Sequence, residues 1–385
     1  MIKVEKITAR AAFAELESEW NALLQRSGSN TVTLTHQWQS TWWDVFGAGR
    51  ELGLLVAREG ESLVGIAPLL TRRVRVFGVP LRRVEFLASG EDEADEICSD
   101  YLDFIIETGR ESEVLGAMLD FLAADTSWDE LLVTDISGES PNLEPLRKLC
   151  AARGLSCDVT REQTCIFVPL PTSRDELLTT ISSQKRKRLQ KDRRTVAERG
   201  MRVEMVDSLA DFDAAFETLV ELHQERWISR GFPGSFSSAK FLRFHRDLAP
   251  KMLERGWLKI WVLWQDDGPL CAVYDFVYGG KISHYQSGMG ALETALLQPG
   301  MLIRDYALED GIAHGMSECD FLKGEVGSYK MSWGGQTRPI LQLRLARGGP
   351  REALFQAVSR VVERLRPLRR RMVACWKKAH QTETT

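Results

Sequence analysis

No run of about 18 apolar residues occurs in the 385-residue chain, so no transmembrane helix is expected. The N-terminus, MIKVEKITARAAFAELESEW, carries charges throughout and has no apolar core before a small-residue cleavage site. It does not read as a secretory signal. The seven cysteines are scattered, odd in number and never spaced C-x-x-C, which fits reduced thiols and a cytoplasmic location. The six histidines are dispersed and form no H-E-x-x-H, so no metal site is expected. No G-x-S-x-G elbow is present, which removes support for hydrolase chemistry of that type. Charge of one sign is lacking too. With 50 Lys and Arg against 54 Asp and Glu, the net charge is -4, and one large basic surface for coating nucleic acid is not expected.

What is present is ordinary globular composition, 44% hydrophobic and 27% charged. At about 150 residues per domain the length suits two or three domains, and either half can bury a core. Strand Ile2–Lys6 precedes an amphipathic helix with Phe13, Leu16, Trp20, Leu23 and Leu24 at helical spacing. A helix over His36–Phe46 ends at Gly47. LGLLVAREGESLVGIAPLL is two strands around Glu59-Gly60-Glu61, and VRVFG and VEFLASG make a further pair. The acidic stretch 91–100 reads as an exposed loop. Strand YLDFII, helix 111–124, strand ELLVTDI, helix 141–152 and strand CIFVPL follow.

The segment from Ser173 to Arg199 is different. Ser173 and Glu176 form a capping box, and the run from Lys185 to Arg194 is strongly basic. One or two linking helices are expected there, ended by Gly200. The opening order then recurs: strand MRVEMV, helices near 209–230 and 238–254, a hairpin around Asp266-Asp267-Gly268, strand KISHYQSGM, helix 300–314 and strand ECDFL. A diverged internal duplication is expected. Strand PILQLRLA and a basic amphipathic helix over 351–379 close the chain, the helix packing on the protein.

Chemistry concentrates between Asp275 and Trp333. Gln298-Pro299-Gly300 stands directly before a helix. Proline suits a first helical turn, glycine admits close approach, and free N–H groups there attract an anion. Asp320, Lys323, Glu325, Tyr329 and Lys330 crowd the end of a short strand among glycines. Alternation puts Asp320 and Leu322 on one face and Phe321 and Lys323 on the other.

These residues carry a resemblance. YQSG, then PG before a helix with L-x-x-x-Y, then G-x-x-x-C-D-F-L-K-G and Y-K-x-S-W-G resemble the CelD-like acetyltransferases. These are double-lobed relatives of the GNAT N-acetyltransferases and distant relatives of the Fem peptidyltransferases. HQWQSTWWDVFG and DYLDF extend the likeness over residues 13 to 345. The resemblance implies an α/β (α+β) chain of tandem GNAT-like folds, with mixed, mostly antiparallel sheets flanked by helices. It implies acetyl-CoA or another acyl-CoA as co-substrate, held near Gln298, Pro299, Gly300 and Met301. The usual loop Q/R-x-x-G-x-G/A is absent, a departure shared with Fem relatives that use aminoacyl-tRNA.

Acyl transfer needs a base for the attacking amine or hydroxyl, a donor to the thioester oxygen and a proton for the leaving thiolate. Asp275, His284 and Asp320 are the candidate bases. Tyr285 and Tyr329 are candidate acids, and Lys323 and Lys330 can bind an anion. His284 can equally be a packed strand histidine, and Asp275 can be the partner of a Lys or Arg. His223 and Arg226 share one helical face and can line the acceptor cleft, as can Tyr101 beside Asp100 and Asp103.

The expected organisation is a first lobe over 1–170 that is structural or acceptor-shaping, a basic linker over 171–200, a catalytic lobe over 201–346, and a tail over 347–385. The acceptor would be a small molecule or carbohydrate, as in polysaccharide-precursor chemistry. A Fem-like transferase using charged tRNA, with the basic linker on the RNA backbone, and a silent binding protein of the same fold are the other readings.

Overall fold

The computed structural model describes residues 1–76, 78–266, 268–290, 297–327, 329–348, 352–353 and 355–358. The first half runs β1 (Ile2–Ile7), α1 (Arg10–Glu15), α2 (Glu17–Gln25), α3 (His36–Phe46), β2 (Glu51–Leu52), β3 (Leu54–Glu59) and β4 (Ser62–Ala67). It continues with β5 (Leu69–Val76), β6 (Val79–Phe86), β7 (Ile105–Ile106), α4 (Glu111–Ala124), β8 (Glu130–Ser137), α5 (Leu143–Ala152) and β9 (Ser156–Pro169). The linker forms α6 (Arg174–Thr180) and α7 (Ser183–Glu198). The second half is β10 (Arg202–Val206), α8 (Leu209–Ile228), α9 (Ala239–Leu253), β11 (Leu258–Gln265), β12 (Gly268–Tyr278), β13 (Lys281–Met289), α10 (Pro299–Ala313), β14 (Glu318–Lys323) and β15 (Gln336–Ala346).

Local chemistry accounts for most element ends. The Thr35 hydroxyl accepts from Trp38 N–H and starts α3, whose Trp38 and Trp42 are buried. Ser173 caps α6 through Glu176 N–H, and Ser182 caps α7 through Lys185 N–H. The second cap breaks the linker into two helices. Three expectations shift. The helix through Phe13 and Leu24 divides at Leu16 into α1 and α2, with its apolar residues still buried. YLDF is a turn rather than a strand, because Tyr101 has φ 64° and the Asp103 carboxylate caps Phe104 N–H, which leaves Ile105–Ile106 alone as β7. The acidic stretch is exposed only in its middle. Glu91 is held by the Trp42 indole N–H, with burial pushing its carboxyl up to about 7, and Ile97, Ser99 and Asp100 turn inward. The C-terminal helix over 351–379 lies for its greater part outside the described residues.

The strands form a four-stranded sheet, β1-β3-β4-β7, and an eleven-stranded one, β10-β11-β12-β13-β14-β9-β15-β8-β6-β5-β2. All neighbours are antiparallel except β13–β14 and β6–β8. The repeat is visible in this order. After β14 comes β9 from the other half, and after β8 comes β15 from the other half. Each half completes the other's sheet, and β9 pairs with β15 at the centre. Trp38 of α3 lies edge-on to Phe244 of α9 and to Phe276 of β12, both at 5.2 Å, so one apolar core runs through both halves.

Helix α8 lies on β13 at a point where only glycine fits. A Cβ on Gly288 would stand 2.6 Å from both His223 N and Leu222 Cβ, and 2.9 Å from Leu219 O. Two of those atoms are backbone of a packed helix and cannot swing aside. Gly288→Ala is therefore expected to cost about 2 kcal/mol by overpacking, read as a lower urea midpoint at unchanged m-value.

Candidate functional site

Strands β13 and β14 run together only where Lys281–Ser283 faces Glu318–Asp320. Beyond that, β13 continues to Met289 and β14 to Lys323 without pairing, and cavities open on the two faces of β13. Side chains alternate along the strand. Ser283 and Tyr285 face a cavity of about 180 Å³ between the lobes, while His284 faces one of about 320 Å³ at the start of α10.

The α10 cavity gathers His284, Arg226, Tyr329, Gln298, Pro299, Gly300 and Met301 from the expected set. Behind His284 lies Asp275. Its carboxylate takes both ends of the Arg304 guanidinium, at 2.6 and 3.0 Å, and lies 2.9 Å from His284 Nδ1. Burial alone would raise Asp275, but Arg304 and His284 outweigh it and hold the carboxyl down at about 2. Burial, helped by the Arg304 charge, pulls His284 down to about 4, so the imidazole is neutral at pH 7. Arg304 Nη2 also touches Nδ1, and the two contacts compete for one position. The ionised carboxylate, pinned by Arg304 through both oxygens, favours Nδ1–H and leaves Nε2 as the acceptor towards the cavity.

The helix start is less open than its sequence suggests. Gln298 N–H donates to Asp192 Oδ2 at 3.1 Å, Pro299 has no N–H, and Met301 and Leu302 N–H turn to Gln298 O at 3.1 and 2.9 Å. Only the Gly300 N–H is left without a partner among the described residues. Asp192 is fully buried and tied to Arg188 at 2.8 Å.

The interlobe cavity holds Tyr101, Tyr285 and Asp320. Tyr101 Oη donates to Asp320 Oδ2 at 2.5 Å across the lobes, and Leu322 N–H donates to Oδ1 at 2.6 Å. Burial raises the Asp320 carboxyl. Asp320 and Leu322 line the cavity and Lys323 does not. Leu322 has φ 59° and the register slips between Asp320 and Lys323, so the Lys323 ammonium reaches Asp135 at 2.8 Å and Asp100 at 3.1 Å. Burial holds Asp100 up at about 6 against the pull of Lys323. Burial likewise holds Asp103 at about 6, although Ser29, Ser140 and Asn142 all donate to it. Tyr285 Oη donates to Ile97 O and contacts His245 Nε2, and burial raises its phenol well above the usual range.

Four expected residues line neither cavity: Asp275 and Lys323, held in the ion pairs just described, and Lys330 and His223. Lys330 Nζ donates to Phe321 O at 2.6 Å and Lys323 O at 2.9 Å, clamping the end of β14. His223 is buried against Phe236, with Nδ1 at 3.2 Å from Gln224. Sequence reasoning missed Arg304, Asp192 and Arg338, which binds Glu318 and Glu139 beside the interlobe cavity. The first two had a signal. Arg304 sits on the apolar side of α10 between Ile303 and Ala307, and Asp192 is an acid on the Leu189–Val196 face of a basic helix.

Residues 183–331 match an acetyltransferase (GNAT) domain. The matched stretch runs from the start of α7 to the turn after β14, so it contains His284, Asp275, Arg304 and the α10 start. No curated protein matches the sequence. Among solved structures the chain is similar to FemX, with TM-score 0.63 and 13% identity over 92% of this chain and 99% of that one. It is also similar to a conserved protein of unknown function from Bacteroides thetaiotaomicron VPI-5482, with TM-score 0.53 and 11% identity over 90% and 100%. The C-terminal domain (DUF2156) of a putative lysylphosphatidylglycerol synthetase from Agrobacterium fabrum gives TM-score 0.51 and 10% identity over 91% and 97%. Such identities speak to fold. The architecture is a tandem GNAT-like one, and residues 183–331 carry a GNAT-type acyltransferase fold. Among the described residues no cluster suited to a metal ion occurs, and no helix is long and apolar enough to cross a membrane.

The buried pair sets a stability expectation. Arg304→Met leaves the Asp275 carboxylate alone and is expected to cost about 3–5 kcal/mol, while Asp275→Leu added to it should recover most of the loss. Because Asp275 is held below its unfolded value, its share of stability is present above about pH 4 and fades as pH falls towards 2. Urea unfolding of the wild type and both variants between pH 3 and pH 7 checks both statements.

Proposed function

We propose that the protein transfers an acyl group, acetyl in the simplest case, from acyl-CoA to an amine or hydroxyl of a small-molecule or carbohydrate acceptor, in the manner of CelD-like enzymes. The observation that carries this is His284 on the wall of the cavity at the start of α10, with its Nδ1 2.9 Å from the Asp275 carboxylate that Arg304 pins, inside the stretch that matches a GNAT domain. With burial keeping the imidazole neutral and Nδ1–H given to Asp275, Nε2 is the acceptor. A nucleophile attacking the thioester carbon becomes strongly acidic at its own proton. A weak base such as His284 suffices to remove that proton, with no covalent enzyme intermediate. Gly300 N–H is a donor to the donor molecule, and Tyr329, on the cavity wall, can return a proton to the leaving thiolate. The second lobe is then the catalytic one. Asp320, bound by Tyr101 and Leu322 N–H, joins the lobes and shapes the acceptor side.

Calorimetric titration with acetyl-CoA and with free coenzyme A, at two salt concentrations, is the test. Micromolar binding that Gly300→Trp weakens supports the donor site, whereas absence of heat from a folded sample overturns it. His284→Ala is expected to bind acetyl-CoA as the wild type does and to lower kcat by roughly 10²–10⁴. Since the base must be unprotonated, kcat/KM should stay level from about pH 8 to pH 5 and fall only as pH approaches about 4. A limb near 6.5 would point to a different base.

One observation favours the aminoacyl-tRNA reading as the runner-up. Lys187, Lys191 and Arg194 point outward from α7 with no ion pair among the described residues, and α7 reaches the α10 start through Asp192. A steep fall of tRNA binding with salt would move the assignment there.

A further inference from the structure

The charges around the α10 cavity do not balance. Among the described residues its lining contains Arg226, His284 and Arg304 and no carboxylate. Arg304 is neutralised by Asp275, and His284 is uncharged at neutral pH. Arg226 has no such partner. It makes no ion pair among the described residues, and its Nε is buried without a hydrogen-bond partner. The groups whose charge it feels are Arg230, Tyr329 and Cys271, none of them a carboxylate. A partly buried guanidinium left in this state costs free energy until an anion meets it.

The place where an anion would ordinarily sit is mostly taken. The Asp192 carboxylate already accepts the Gln298 N–H just before α10, the turn itself uses two more, and the Gly300 N–H alone is left among the described residues. Packing explains how Arg226 comes to stand in for it. Gly288 lets α8 approach β13 to within backbone contact at His223, and Arg226 lies one helical step further along the same face. From there it reaches over the end of β13 into the cavity that holds Gly300 and His284.

We propose that Arg226, rather than the start of α10, is the main receptor for the phosphate-type anion of the acyl donor. The inference rests on reading this cavity as the donor site, and it names the group that the site uses to recognise phosphate. It carries an energetic consequence. An arginine kept for a ligand destabilises the empty protein, whereas a structural arginine stabilises it.

The experiment compares three probes by calorimetry and thermal unfolding: acetyl-CoA, acetyl-pantetheine, which has the thioester and no phosphate, and inorganic pyrophosphate. The proteins are the wild type, Arg226→Gln, and Arg230→Gln as a control for general charge. The wild type should bind acetyl-CoA at least about tenfold more tightly than acetyl-pantetheine, a difference near 1.4 kcal/mol. Arg226→Gln should abolish that preference, leave acetyl-pantetheine binding within about twofold, and show an empty-state Tm equal to or above the wild type's. Arg230→Gln should keep the preference.

The inference is overturned if Arg226→Gln still prefers acetyl-CoA tenfold, or if it unfolds at lower temperature than the wild type or fails to fold. Failure of the donor reading looks different. Binding of pyrophosphate through Arg226 with no binding of either thioester would discard acyl-CoA and keep Arg226 as a phosphate receptor. Absence of all three would discard both.

Discussion

The central pairing of β9 with β15 is the constraint from which the rest of the architecture follows. These strands come from opposite halves of the chain, and they pair antiparallel from Ser156–Ala346 to Phe167–Gln336. On their outer edges each joins a strand of the other half, β9 to β14 and β15 to β8. Neither half can close its sheet without the other. Rigid joining of the lobes in turn holds the interlobe cavity, because the residues that line it arrive from both sides. Tyr101 and Asp320 can sit at hydrogen-bond distance only if the β9–β15 register is kept. A two-domain protein with an ordinary polar interface would be free to hinge. Here the continuous sheet and shared core leave little room for that.

Within that frame, buried charge does the positioning. On one face of the β12–β13 pair, Asp275 and Arg304 cancel each other and orient His284. Near the end of β14, Lys323 is held between Asp100 and Asp135 and draws the end of that strand towards the first lobe. At the start of α10, Asp192 ties the linker helix to the cavity, and Arg174 and Arg193 do the same through Asp305 further along that helix. Replacing such pairs with apolar residues would often be neutral for stability alone. Their value here is geometric. Each fixes a strand end or helix start that borders one of the two cavities, where a shift of an ångström would matter for acyl transfer.

Much of this was legible in the sequence, and the limits have physical causes. Helices such as His36–Phe46 and 111–124, the hairpin around Gly60 and the pairing of β11 with β12 follow from local periodicity, caps and turn residues. The duplication was visible because it repeats element order. What could not be read was strand exchange, since no local signal tells a strand which half's sheet it will enter. YLDF misled because its alternation is that of a strand while Asp103 captures nearby hydroxyls and amides to make a turn. The Asp100 and Asp135 partners of Lys323 could not be read, because alternation assumes extended backbone and Leu322 leaves it. His284 and Asp275 were found by residue type, but their partner Arg304 was not. Its position inside an apolar helical stripe was the available clue.

The two cavities finally differ in sign, and that difference orders the reaction. Among the described residues the α10 cavity is lined by Arg226 and Arg304 and no carboxylate, while Asp100, Asp103, Glu139 and Asp320 line the one between the lobes. Burial raises the carboxyls of Asp100, Asp103 and Asp320, so a cationic or hydroxyl-rich group entering there would relieve what burial costs them. In the proposed reaction an anionic acyl donor would be repelled from that side and attracted to the other. Strands β12 and β13 lie between, with His284 on the face of the α10 cavity and Tyr285 on the face of the interlobe cavity. For that reaction a neutral His284 would be a requirement rather than an accident. A second positive charge beside Arg226 and Arg304 would bind a donor phosphate more tightly but could no longer accept the proton that acyl transfer would release.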